Sequence, residues 1–85
     1  MKKIIQIKTL FDMSPVSRSQ AKSICNGLEE PGEVVLDFAD VEWMGQGFAH
    51  QLFVVFQSEH PETTLTPINM SDGVEKMYKH VILSK

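Results

Sequence analysis

Residues 32–56 read GEVVLDFADVEWMGQGFAHQLFVVF, and this stretch decides the fold class. Val34, Val35 and Leu36 are consecutive apolar residues closed by Asp37, the pattern of a strand buried on both faces. Residues 39–47 contain Asp40, Gly45 and Gly47 and read as a turn. From Gln46 to about Glu59 the chain is apolar for more than two helical turns, with Phe48, Ala49, Leu52, Phe53, Val55 and Phe56 covering more than one stripe. A strand, a glycine-containing turn and an apolar helix form the middle of an alternating α/β domain.

Working outward, Ile4, Ile5 and Ile7 give a partly alternating β-branched run that suits a first strand. Leu10 and Phe11 are expected to prolong that strand or to start a short hairpin partner, and Asp12-Met13-Ser14-Pro15 is a turn by composition. Ser17 and Gln20 fit a capping box, so a helix begins there with Ala21, Ile24, Cys25 and Leu28 on its apolar face. Glu29-Glu30-Pro31-Gly32 ends it. On the other side, His60-Pro61-Glu62 stops the second helix and residues 63–69 read as a third strand. Pro67 lacks an N–H and places that strand at an edge or at its end. Ser71 and Asp72 then cap a third helix with Val74, Met77, Tyr78, Val81 and Ile82 on one face. The order is βαβαβα, a small α/β domain expected to have a mainly parallel or mixed four-stranded sheet with helices packed on it. The 85 residues make one domain, residues 1–85.

Hydrophobic content of 42% with 22% charged residues is globular composition. A net charge of −3 with scattered lysines argues against nucleic acid, which needs clustered cations. No apolar run approaches the ~20 residues of a membrane span. Lys2 and Lys3 precede an apolar run, but Gln6 and Lys8 interrupt it and no small-residue cleavage site follows. The lone Cys25 fits a reducing compartment. A soluble, cytoplasmic protein with no membrane contact is expected.

Chemistry is sparse. Cys25 lies on an apolar helix face and reads as a small buried hydrophobe. His50, His60 and His80 lack the compact spacing of a zinc site. Asp37, Asp40 and Glu42 cluster at the carboxyl end of the central strand, where open α/β sheets place ligands, yet acids there also simply form turns. Gly45-Gln46-Gly47 is neither GxGxxG nor a P-loop. Trp43 and Met44 are either the lid of the core or an exposed adhesive patch. No catalytic residue, metal or cofactor is assigned, and no enzyme is expected.

The segment Asp37-Phe38 through Phe48-Ala49-His50-Gln51-Leu52 resembles the STAS fold of sulfate transporters and bacterial anti-sigma factor antagonists. With Ser17-Arg18-Ser19-Gln20-Ala21 before it and Pro67-Ile68-Asn69 after it, the chain is more similar to a short bacterial STAS-like family of unknown function. That resemblance implies a regulatory protein-interaction module in signalling. In anti-sigma factor antagonists the turn and the head of the second helix dock on a histidine-kinase-like ATPase, which phosphorylates a serine there. Here Gly45-Gln46-Gly47 stands in place of that motif, and no Ser or Thr lies between Ser23 and Ser58. The resemblance therefore implies a partner, that ATPase or another regulator, held without the phosphorylatable serine. The implied contact residues are Asp40, Trp43, Met44, Gly45, Gln46, Gly47, His50 and Gln51. Two alternatives remain open: a small-ligand or nucleotide-binding domain at the same turn, and a structural homodimer joined through the apolar second helix.

Overall fold

A computed structural model describes residues 2–10, 17–28 and 32–84. Three strands, β1 (Lys2–Gln6), β2 (Glu33–Asp37) and β3 (Thr64–Ile68), form a parallel sheet in the order β1-β2-β3. The sheet expected to have four strands has three among the described residues. Ile7, read as part of the first strand, and Leu10, read as its extension or a hairpin start, instead lie in one helical turn, α1 (Ile7–Leu10). The cause lies next door: Gln6 pairs with Asp37, and beyond Asp37 β2 turns away. A strand continued past Gln6 therefore has no ladder partner on β2, and the chain coils so that Ile7 enters the core. Phe11, the turn expected at residues 12–15 and residues 29–31 lie outside the described residues. The first helix, expected to carry Leu28 and to stop at residues 29–32, already ends at Cys25, with Asn26 as its C-cap.

The helix α2 (Arg18–Cys25) starts at the expected capping box: the backbone N–H of Gln20 donates to Ser17 Oγ, and the backbone N–H of Ser17 donates to Gln20 Oε1. Its Ala21 and Ile24 are buried, as is Leu28 just beyond it, while Cys25 is half-buried. Residues 46–59 form the second helix over the expected span but in three geometries, α3 (Gln46–His50), a π-helical segment (Gln51–Phe56) and α4 (Gln57–Glu59). An α-turn takes 3.6 residues, so Phe48, Leu52 and Phe56, spaced by four, drift around an ordinary helix. The wider π turn corrects the drift and puts all three in one buried stripe with Ala49 and Phe53. The apolar surplus that suggested a second surface on this helix is thus taken up by the protein's own core. Val54 packs on that core as well, and Val55 is half-buried.

Successive strands joined by right-handed crossovers carry their helices on one face. The contacts agree, since α2 touches α3 and the π segment, and α5 (Asp72–Leu83) touches both of those. The core lies between this helical layer and β2, where Val34 and Leu36 point inward. Phe53 is part of it, edge-on to Tyr78 at 4.8 Å and tilted against Phe38 at 6.5 Å. At the sheet's edge, Thr64 donates its N–H to Gly32 and Ile68 accepts from Phe38 N–H, so alternate residues of β3 face β2. Leu65 and Pro67 face outward by the same alternation, and the missing N–H of Pro67 falls where no neighbour needs it.

Candidate docking site

The carboxyl ends of β2 and β3 and the amino ends of α3 and α5 meet at one edge of the sheet, and the residues singled out at the turn lie there. Asp37 ends β2, and its Oδ1 accepts the Ala39 N–H at 2.9 Å and Asn69 Nδ2–H at 3.0 Å. These bonds, the Asn69 bond first, hold its carboxyl below the usual carboxylate range. The carboxylate is thus occupied in joining the loop after β2 to the loop after β3. Each loop has one residue in the left-handed region, Asp40 with φ 65° and Asn69 with φ 56°. Asp and Asn tolerate that conformation better than most residues. The glycines expected to permit the turn do not supply it: Gly45 has an ordinary φ of −77°.

Between Asp40 and Gly45 two buried residues bracket two exposed ones. Val41 and Met44 are buried, Met44 at 1% exposure, while Glu42 is exposed and Trp43 is 47% exposed. The expected pair is therefore split: Met44 belongs to the core and Trp43 stands at the surface. The backbone between them is fixed from the far side. Ser71 Oγ donates to the Glu42 carbonyl at 2.7 Å while also accepting the Val74 N–H as the cap of α5. Gly73 lies so close that a Cβ there would sit 2.5 Å from the Glu42 carbonyl oxygen and 3.3 Å from Trp43 Cβ. A glycine is required by this approach alone.

Of the remaining predicted residues, Asp40 and Gln46 are exposed beside Trp43 in the sequence, Gly47 is half-buried, and Gly45 is a buried N-cap without a side-chain capping bond. His50 and Gln51 lie about one turn further along and are half-buried. His50 Nδ1 is buried with no hydrogen-bond partner among the described residues. Sequence reading missed the role of Asn69, Ser71 and Gly73 at this site. Ser71 carried the signal of a helix cap, but nothing in the sequence announces its second bond to Glu42.

Other chemistry at this edge is limited. Among the described residues no three His, Cys, Asp or Glu side chains come together in a group that could hold a metal ion. No described helix is long and apolar enough to cross a membrane. The Cys25 thiol is pushed up to about 11, chiefly by burial.

Comparison with protein families finds a match over residues 20–75 to the family described as STAS-like domain of unknown function (DUF4325). The match spans α2 to the start of α5 and contains the whole Asp37–Gln51 segment. No curated protein and no solved structure matches the chain.

Proposed function

The chain belongs to the STAS-like domain family of unknown function, and from that premise we propose that it is a non-catalytic regulatory module that binds a protein partner through the loop and helix head between Asp40 and Gln51. The observation that carries this reading is Trp43, a large aromatic left 47% exposed on a loop that Val41 and Met44 anchor in the core. Exposed aromatics on rigid backbone are the residues that dominate protein interfaces, because they bury much area while losing little freedom. In this reading Asp40, Trp43 and Gln46 make contact and Gly47 and His50 flank them. Met44 and Gly45 hold the surface in shape from below. The partner class is a histidine-kinase-like ATPase or another regulator, as the STAS resemblance implies, and docking proceeds without a phosphorylated serine in the turn.

The test is affinity capture from the source organism's lysate with wild-type bait beside Trp43→Ala/Gln46→Arg, both side chains being exposed. The expected result is a regulator or ATPase held by wild type and lost from the variant, with far-UV circular dichroism unchanged. Equal capture by both baits overturns the site. A nucleotide or small ligand at the same turn would instead raise the melting temperature, since a ligand that binds only the native state stabilises it. A structural dimer would show as a doubled mass in sedimentation.

A further inference from the structure

We infer that the partner of this surface presents an apolar pocket rimmed by lysine or arginine. The inference rests on the docking reading above and adds the chemistry of the other side. Trp43 projects from a segment, residues 37–47, that carries Asp37, Asp40 and Glu42 and no lysine or arginine. The loop that clamps it, residues 69–73, adds Asp72 and again no cation. Lys76, one turn along α5, is the first cation after these segments. Asp40, Glu42 and Asp72 are exposed, and no salt bridge is formed by any of the three among the described residues. Asp37 keeps its negative charge over a wider pH range than a free carboxylate, because Asn69 and Ala39 donate to it.

The two segments that hold the indole therefore carry side-chain charge of one sign. A partner with acidic residues around its pocket would be repelled, and like charges brought together at an interface discriminate strongly against the wrong surface. A basic rim is attracted at long range, and the attraction weakens as salt shortens the screening length. The two contributions separate cleanly: burial of Trp43 sets how long the complex lasts, and the carboxylates set how fast it forms. The clamp from Ser71 and Gly73 matters here because it fixes the loop before any partner arrives, so little ordering remains to oppose binding.

A random-peptide display library selected against the intact protein tests this without knowledge of the natural partner. The expected winners carry an apolar anchor flanked by Lys or Arg. A synthetic copy of one winner should lose at least ~10-fold in affinity against Trp43→Ala, the scale of a hot-spot residue. Against Asp40→Lys/Glu42→Lys it should associate more slowly, and raising salt from about 0.05 to 0.5 M should slow its association with wild type. Winners that depend on Trp43 but are neutral or acidic would overturn the basic-partner inference while leaving the docking site standing. Winners indifferent to Trp43→Ala, or a selection that enriches nothing, would overturn both.

Discussion

Replacing Gly73 with alanine should destabilise the protein, although alanine is the better helix former. Gly73 is the second residue of α5, where the exchange by itself favours folding by up to ~1 kcal/mol through helix propensity and reduced freedom of the unfolded chain. Against this, the new methyl would lie 2.5 Å from the Glu42 carbonyl oxygen, an atom of the backbone that cannot rotate aside. Restoring a contact of roughly 3.5 Å moves the loop by about 1 Å, and forced overpacking of this kind costs ~1–3 kcal/mol. The same movement stretches the Ser71–Glu42 bond, now 2.7 Å, whose loss adds ~0.5–1.5 kcal/mol. The net expectation, with the full ~1 kcal/mol gain credited, is a loss of ~0.5–3.5 kcal/mol, and each kcal/mol lowers the melting temperature by ~4–8 °C in a domain of this size. Urea unfolding followed by circular dichroism measures the energy, and emission from Trp43, the one tryptophan in the chain, reports displacement of the loop. The same exchange at Gly27 is the control. A Cβ there would meet Ile24 O at 3.5 Å and Lys3 Nζ at 3.7 Å, ordinary contacts, so Gly27→Ala should be neutral or slightly stabilising. If Gly73→Ala proves as stable as wild type, or indistinguishable from Gly27→Ala, the clamp between α5 and the Trp43 loop does not exist as described.

Neighbouring residues in the loop after β2 should respond differently to truncation. Trp43→Ala should change stability by less than ~1 kcal/mol, whereas Met44→Ala, which empties a core position, should cost ~2–5 kcal/mol in the same unfolding assay. Asp37 has a depressed folded-state value, so its stabilising contribution is complete above its ordinary 3.8 and is lost as pH falls through the lower folded value. Unfolding midpoints taken below pH 4 should therefore fall more steeply for wild type than for Asp37→Asn, and parallel curves would refute the Asn69 link. Ser17→Ala removes the capping box of α2 and should lower stability by ~1 kcal/mol, measured by thermal unfolding. The Cys25 thiol, raised from 9.0 to about 11, should react with a thiol reagent at pH 8 roughly tenfold more slowly than an ordinary thiol, because its thiolate is scarcer although each thiolate is the better nucleophile. A rate equal to that of the unfolded chain would show that the thiol is not sheltered.

The parts of the fold that depend on near neighbours were legible in the sequence. The Ser17–Gln20 capping box and the Ser71 cap are bonds across three residues, and Val34 to Leu36 announces a central strand by composition alone. Pro67 named its own place at an edge for the same reason. The π segment was not legible, because a four-residue repeat looks like a second apolar stripe until the helix is known to widen. The end of β1 was set by its neighbour, where β2 turns away after Asp37, and a single run of isoleucines does not contain that information. At the candidate site, Trp43 and its acidic surroundings were visible, but the bond fixing their backbone joins residues 29 positions apart. Whether Met44 or Trp43 points outward was decided by packing, which residue types alone left undetermined.

A parallel sheet with open sides is a template for polymerisation: the last strand of one molecule offers its outer edge to the first strand of the next, and nothing in that head-to-tail arrangement ends the chain. Pro67 withholds one rung from that outer edge while leaving the molecule's own ladder whole, because its nitrogen faces away from β2. Fibre growth requires a good edge at both ends of the sheet. Spoiling one is enough, and a single imino acid does so without disturbing the loops after β2 and β3 a few residues away.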